Sequence, residues 1–296
     1  MSIATSSDHG YAVAPALPDV LPPVKRRGRV GTFVHRHPTI VLGGVLVAIM
    51  IGIAIFAPWL GTVDPTALAP AKRLRPPSDV YWFGTDMLGR DIYSRVLYGT
   101  RESHEVGFAV AFFSSVFGMA IGVISGFVRI LAAILTRIMD GLMSIPSILL
   151  ASALMALTRG SVGNVILAIT IAEVPRVSRL VRGIVLSLRE QPYVEAAVAS
   201  GTRMPKIIWK HILPNTLAPM MVQATFICAA AMITEAILSF LGAGTPPTTP
   251  SWGNIMAEGR ALWQVKPYIV FFPAAFLSVT VLAVNLLGDG LRDALD

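Results

Sequence analysis

The chain of 296 residues is strongly apolar: 54% of its residues are hydrophobic and only 14% are charged, and its mean hydropathy is +0.67. Soluble domains carry about 25% charged residues, so this composition excludes an ordinary soluble protein and predicts one embedded in a lipid bilayer. The formal net charge of +7 does not indicate a nucleic-acid partner, because membrane proteins collect Lys and Arg on their cytoplasmic side.

The chain begins with a basic tail. Residues 1–38 are rich in Pro, Ala and Ser and contain no apolar run, and they include the basic residues Lys25, Arg26, Arg27, Arg29 and Arg36. The charged region of a secretory signal would be far shorter, so a cytoplasmic N-terminal tail is predicted instead.

Six apolar stretches follow that are long enough to cross a hydrocarbon core of about 30 Å as helices. Each must be helical, because lipid offers no partner to an unsatisfied backbone group. The predicted fold class is therefore all-α, a polytopic membrane protein with about six transmembrane helices. The predicted spans are Thr39–Leu60, Ser103–Val128, Asp140–Thr158, Val162–Val185, Asn215–Gly242 and Pro267–Gly288.

An even number of spans places both termini on one side of the membrane. Most of the 24 Lys and Arg residues fall on the side of the tail, so that side is expected to be cytoplasmic. The expected organisation is a tail (1–38), a first span with an external segment (39–102) and a five-helix core (103–296).

The external segment is predicted to contain an amphipathic helix. Leu88, Ile92 and Val96 recur every four residues, and Asp91 and Arg95 have the spacing of a favourable ion pair on a helix. Such a helix either caps the bundle at the interface or has a role of its own, and the pattern leaves both open.

The basic segment between the fourth and fifth spans predicts a short surface helix. Pro192 suits the first turn, Glu195 complements the positive end of the helix dipole, and Pro205 limits the length of the helix. Tyr193 precedes two small residues at spacing four, Ala197 and Gly201. This face suits either docking of another protein or an ordinary loop helix.

Three glycines at spacing four, Gly118, Gly122 and Gly126, form a stripe on the second span. Small residues at this spacing let helices approach closely in lipid, where burial from water no longer drives association. We expect a helix–helix contact there, and the sequence does not tell whether the partner lies within the chain.

Ionisable residues inside spans are costly and are functional candidates. Asp140, Glu173 and Glu235 qualify. Glu173 has Arg176 three residues on and is expected to be neutralised by it. Glu235 faces either an aqueous pathway or a bonding partner on a neighbouring helix.

Several chemistries have no motif here. None of the five lysines follows a glycine, as a phosphate-binding P-loop requires, and there is no GxSxG or HExxH motif. The single cysteine, Cys228, excludes a disulfide framework, and His35 and His37 flank Arg36 in the basic tail. No catalytic residue, metal site or cofactor is predicted in this chain, which is not expected to be an enzyme.

The segment EAAVASGTRMPKIIWKHILP at 195–214 resembles the EAA loop of ABC-importer permeases. In that family the loop, here at about 190–214, carries the coupling helix, which contacts the ATPase subunit. The resemblance assigns this contact to Glu195, Ala196, Ala197 and Gly201. Tyr193, on the same face, is expected to add an apolar anchor.

Further motifs are similar to those of the C-type permease subunit of the dipeptide, oligopeptide and nickel branch. They are FGTD and LGRD within residues 83–91, LSFLG at 238–242, PSWGN at 250–254 and NLLGDGLRD at 285–293. The variant HILPN at 211–215 points to the same branch.

The resemblance implies a type I ABC importer permease in the bacterial inner membrane. Its partners would be a homologous B-type permease subunit, two ATPase subunits that bind ATP and Mg, and an extracytoplasmic substrate-binding protein. The cargo would be dipeptides or oligopeptides, with nickel or another small solute as the alternative. The alternative from another class is a secondary transporter or channel driven by an ion gradient.

Overall fold

The computed structural model describes residues 34–295, apart from the side chain of Arg129, and the regular structure of that part is helical, as predicted. The predicted tail lies outside the described residues except for its last five. Short 3₁₀ turns occur at Ala57–Trp59, Pro70–Lys72 and Arg260–Leu262. The helices are α1 (Pro38–Phe56), α2 (Ile92–Phe127), α3 (Arg129–Met143), α4 (Ser147–Ala156), α5 (Val162–Arg189), α6 (Pro192–Ala199), α7 (Met204–Ile207), α8 (Leu213–Phe240), α9 (Trp252–Gly259) and α10 (Tyr268–Leu295).

Four helical stretches in the described part of the chain are long and apolar enough to cross a membrane: α1 with its 3₁₀ turn, α2, α7 continued through α8, and α10. A π-helical turn at Ile208–Ile212 joins α7 to α8. The helix α5 has 28 residues, but its charged residues, Glu173 and several arginines, make it too polar to meet the same standard. The count is therefore four or five against the six predicted.

The predicted span Asp140–Thr158 is not a single straight helix. The chain bends by 88° between α3 and α4, which together could form one broken span or a re-entrant loop. The break contains Ser144 and Pro146, and Pro146 has no N–H to continue the helix.

The predicted amphipathic helix at Leu88 is also corrected. Leu88 precedes α2 and is 47% exposed, whereas Ile92 and Val96 are fully buried. Asp91 is the N-cap of α2 and accepts a bond from the backbone N–H of Ser94 at 2.8 Å, instead of pairing with Arg95. The residues from Ile92 onward are thus the first turns of a 36-residue helix, and the predicted boundary at 102/103 falls inside it.

The ends of the bundle are defined by α6 and α9. The start of α8 and the end of α10 line one cavity, to which Ala218 and Arg292 contribute. Gly290 near the end of α10 lies against Ile40 at the start of α1. Accordingly α1 begins and α10 ends at the end of the bundle that carries α6.

The three glycines on α2 lie against three valines on α5. A Cβ at Gly122 would stand 2.6 Å from Cβ of Val181, and a Cβ at Gly126 would stand 2.5 Å from Cγ1 of Val185. Gly118 lies equally close to Val177, and all three valines are fully buried. Because the pairs follow the same order along both helices, α2 and α5 run parallel. The partner of the glycine stripe is thus a helix of the same chain.

A methyl group at this contact should destabilise the bundle. We expect Gly122→Ala to lower the free energy of unfolding by roughly 1–3 kcal/mol, the usual cost of overpacking. Thermal unfolding of the purified protein in detergent measures the effect.

The matched control is Gly183→Ala on α5, where an added Cβ meets nothing within 4 Å. It should leave stability unchanged or raise it slightly, because Ala favours helix more than Gly does. Adding Val181→Ala to Gly122→Ala should recover part of the loss. Equal effects of the two glycine substitutions would contradict the interlocked contact.

Candidate functional site

The predicted surface helix is α6, and the observed bounds Pro192–Ala199 agree with the start expected at Pro192. Gly201 follows it with φ +74°, a left-handed conformation that favours glycine. The N–H of Thr202 bonds to the carbonyl of Ala197 at 3.0 Å and closes the helix end. Pro205 lies in the first turn of α7, so it begins a new helix as well as limiting α6.

The buried side of α6 is carried by Val194, which is 2% exposed. Ala197 is partly buried and packs against the hydrophobic core, whereas Tyr193 and Val198 are 43% and 51% exposed. The predicted face through Tyr193, Ala197 and Gly201 is therefore only partly directed outward. Six exposed residues of the loop are called the α6 surface below: Tyr193, Glu195, Ala196, Val198, Ala199 and Gly201.

Val198 is exposed although the sequence analysis did not place it on the outward face. Its spacing of four from Val194 suggests a shared face, yet only Val194 is buried. The signal available in the sequence was a second valine on a short helix that contains three alanines.

A cavity of ≈ 390 Å³ lies between α6 and the end of α2. Glu195, Val198, Phe127 and Arg189 contribute to its lining. Arg189 Nη1 donates a hydrogen bond to the carbonyl oxygen of Gly126 at 2.6 Å, and its guanidinium carbon stands 5.3 Å from the ring centre of Phe127. The segment that leads into α6 is thus attached to the last turn of α2.

A buried ion cluster occupies the opposite end of the bundle. Asp86 accepts from Arg90 Nε at 2.7 Å and from Arg95 Nη1 at 2.6 Å. Glu258 on α9 bonds to the same two arginines, at 2.5 Å and 2.6 Å. The side chains of Asp86 and Arg95 are 0% and 1% exposed, whereas that of Glu258 is 24% exposed. The cluster thus joins the segment before α2 to α9 with its centre shielded from water.

This ion cluster was not predicted. Arg95 was assigned to Asp91, its neighbour by helical spacing, and Glu258 lies 163 positions away from it in the chain. The only signal was the presence of arginines among apolar residues, which need partners when buried.

Glu235 belongs to a buried polar network near the same end. It is 1% exposed and accepts from the Ser239 hydroxyl at 2.7 Å. The hydroxyls of Ser239 and Thr245 are 3.2 Å apart, and Asn254 Nδ2 donates to Thr245 Oγ1 at 2.9 Å. The network connects the end of α8 to α9 through the loop between them.

The other two candidate carboxylates have separate partners. Glu173 is 4% exposed and lies 3.1 Å from Arg176 Nη1, so the expected ion pair is present. Asp140 is exposed and pairs with Arg179 at 2.5 Å, which links α3 to α5. No hydrogen bond or ion pair in residues 34–295 joins Asp140, Glu173 and Glu235 to one another, and no three potential metal ligands converge in that part of the chain.

Two family models match the sequence. One, described as the inner membrane component of binding-protein-dependent transport systems, matches residues 117–296. The other, the N-terminal TM domain of oligopeptide transport permease C, matches residues 35–77. Together they include most of the helical part of the chain.

Curated relatives are similar over most of their length. A probable peptide ABC transporter permease protein of Sinorhizobium fredii is 52% identical over 88% of this chain and 89% of its own. A dipeptide transport system permease protein of Alkalihalophilus pseudofirmus is 43% identical over 86% and 84%. A glutathione transport system permease protein of Pectobacterium atrosepticum is 39% identical over 89% and 88%.

A solved structure shares the fold. The inward-facing methionine ABC transporter MetNI contains a chain that matches 68% of this one and 96% of its own length, with a TM-score of 0.57 and 22% identity. At that identity the likeness concerns the fold alone.

Removal of one charge from the ion cluster should destabilise the protein strongly. Arg95→Met leaves Asp86 buried with one cationic partner fewer, and breaking a buried pair costs about 3–5 kcal/mol. Arg179→Met, which breaks the exposed pair with Asp140, should cost about 1 kcal/mol or less. Thermal unfolding in detergent compares the stability of the two variants. Equal losses of stability would contradict the larger contribution proposed for the buried cluster.

Proposed function

The chain belongs to the family of inner membrane components of binding-protein-dependent transport systems, and we propose that it imports peptides as one permease subunit of an ABC transporter. The match over more than half of the chain and the relatives at 39–52% identity carry the family assignment. A permease of this family is a membrane subunit, not an enzyme.

The cargo is assigned from the relatives. Those compared are named for peptides, dipeptides and glutathione, which is itself a small peptide. This agreement favours a peptide over nickel, the alternative that the motifs left open. The match to binding-protein-dependent systems likewise favours an ATP-driven importer over a transporter driven by an ion gradient.

The α6 surface is the proposed contact with an ATPase subunit. It carries an apolar side chain at Val198 and an acidic one at Glu195, whereas Ala196 and Gly201 have a small side chain or none. A cleft of matching shape can therefore approach the helix backbone closely. With the contribution of Tyr193 and Ala197, these are the coupling residues. ATP and Mg bind to two such partners, and a second permease subunit and an extracytoplasmic binding protein complete the transporter.

The proposed orientation follows from this contact. An ATPase acts in the cytoplasm, so the end of the bundle that carries α6 faces the cytoplasm of a bacterial cell, together with the start of α1 and the end of α10. The proposed organisation is a cytoplasmic tail, a first span with an external segment, and a core that carries the coupling loop. The ion cluster and α9 then lie on the extracytoplasmic side, where cargo arrives.

The candidate carboxylates are assigned a bonding role. Glu235 bonds to Ser239, Glu173 lies beside Arg176, and Asp140 pairs with Arg179. Each stabilises its own helix or joins two elements. Specificity for cargo then rests mainly with the binding protein, and the pathway needs no strongly charged lining.

Reconstitution tests the proposed function. Proteoliposomes that contain this chain, a B-type permease, two ATPases and a binding protein should take up a labelled dipeptide only when ATP is supplied. Ni²⁺ offered in place of the peptide should not accumulate. Uptake driven by an ion gradient without ATP would overturn the proposal.

A side chain at Gly201 should uncouple the transporter. Asn tolerates the left-handed backbone, so Gly201→Asn adds bulk to the α6 surface with little strain. We expect ATP-dependent uptake to fall by roughly tenfold, equivalent to about 1.4 kcal/mol of lost contact, while membrane insertion is unchanged. Uptake in proteoliposomes and the amount of inserted protein are the measurements.

Gly61→Asn is the matched control. Gly61 also has a positive φ, +71°, with nothing within 4 Å of an added Cβ, but it follows α1 at the other end of the bundle. This variant should transport normally. Equal uptake by the two variants would remove Gly201 from the coupling surface.

A further inference from the structure

We propose that α2 is the rigid element that carries motion of α6 across the membrane to α9, and that Arg189 is the positioning residue that attaches α2 to the coupling loop. The inference rests on the proposed function, because it assumes that an ATPase moves α6. It adds the route by which that movement reaches the extracytoplasmic side.

The first argument is the continuity of α2. It has 36 residues, which corresponds to about 54 Å at 1.5 Å per residue, and no proline lies within it. Three further helices in the described part of the chain, α5, α8 and α10, have 28 residues each. Each of them contains an internal proline, namely Pro175, Pro219 and Pro273. Proline interrupts the backbone ladder and allows a helix to bend. Among these long helices of the described chain, α2 alone has no internal proline, and the glycines in its second half are packed against α5.

The second argument is the interlock between α2 and α5. Val177, Val181 and Val185 lie against the glycine stripe so closely that the two helices cannot slide or rotate independently without a clash. Since α6 follows α5 after a short turn, displacement of α6 acts directly on this pair.

The third argument is the bond made by Arg189. This residue extends the α5 stripe by one further step of four, and it donates to Gly126, one of the last four residues of α2. The carbonyls in the last turn of a helix have no partner within the helix, and a cation there also complements the helix dipole. With the Phe127 ring beside its guanidinium, Arg189 attaches the end of α2 to the start of the coupling loop.

The fourth argument is the attachment of α2 at its other end. Arg95, in the first turn of α2, bonds to Glu258 on α9. The indole N–H of Trp252 at the start of α9 donates to the carbonyl of Val96 at 3.0 Å. Arg95, Val96 and Trp252 are all buried, so displacement of α2 along its axis moves α9 and the loop that precedes it.

The test uses the complete transporter with a reporter at the far end. Thr248 is exposed in the loop before α9, and Thr248→Cys in a Cys228→Ala background provides a single thiol in this chain, whose labelling is read from this subunit alone after separation of the subunits. Two quantities are measured: the rate of labelling by a membrane-impermeant maleimide with and without ATP, and the number of peptides imported per ATP hydrolysed.

Arg189→Gln is the principal variant. The parent should show a labelling rate that changes with ATP. In the variant we expect this change to vanish and the import per ATP to fall by roughly tenfold, the factor that one charge-assisted hydrogen bond contributes. Arg189→Lys, which keeps a cationic donor, should restore part of both. Arg137→Gln, at an exposed arginine on α3, should behave as the parent.

The outcomes separate the two proposals. A parent complex without ATP-dependent import refutes the proposed function. A parent that imports peptide but whose labelling does not depend on ATP, or an Arg189→Gln variant that retains both quantities, refutes the α2 route. Should Arg189→Gln fail to assemble, Arg189→Met, which keeps the apolar stem against Phe127, is tested against the same outcomes.

Discussion

The close approach of α2 and α5 is the contact on which the remainder of the described bundle depends. In lipid, two helices gain nothing by leaving water, so they associate through packing and through the bonds that close contact permits. The glycines of α2 remove the side chains that would hold the two backbones apart, and the valines of α5 fill the space. Neither residue type alone would achieve this, because glycine without a partner leaves a groove and valine without a groove keeps the helices separated.

Charge is distributed around this contact according to its surroundings. At the α9 end, Asp86 and Arg95 are buried. The free-energy cost of removing their charges from water is offset because Arg90 and Glu258 complete the cluster. At the α6 end, Arg189 is exposed over much of its surface and still bonds to the terminal carbonyl of Gly126. The same helix is thus joined to the elements at its two ends, in one case by desolvated ion pairs and in the other by a cap.

Sequence and structure agree where the interaction is local. The helix at Pro192 begins where its proline and first-turn acid indicate, and Glu173 lies beside Arg176, three residues along the same helix. The family assignment drawn from the EAA segment and the LGRD motif is confirmed by relatives at up to 52% identity. They disagree where hydropathy or helical spacing was the only guide. The stretch from Asp140 to Thr158 is mostly apolar in its second half, yet the backbone breaks at Ser144 to Pro146, and hydropathy contains no information on bending.

The sequence by itself determined the class of the molecule, because a bilayer requires long apolar helices and an EAA segment has a specific spacing. It also indicated that the glycine stripe needs a partner. The tertiary structure alone decided that this partner is α5, that Arg95 pairs with Glu258 instead of Asp91, and that Ala197 turns toward the core while Val198 is exposed. The physical reason is distance along the chain: periodicity describes which residues share a face of one helix, whereas the residue that meets this face is set by how separate helices pack.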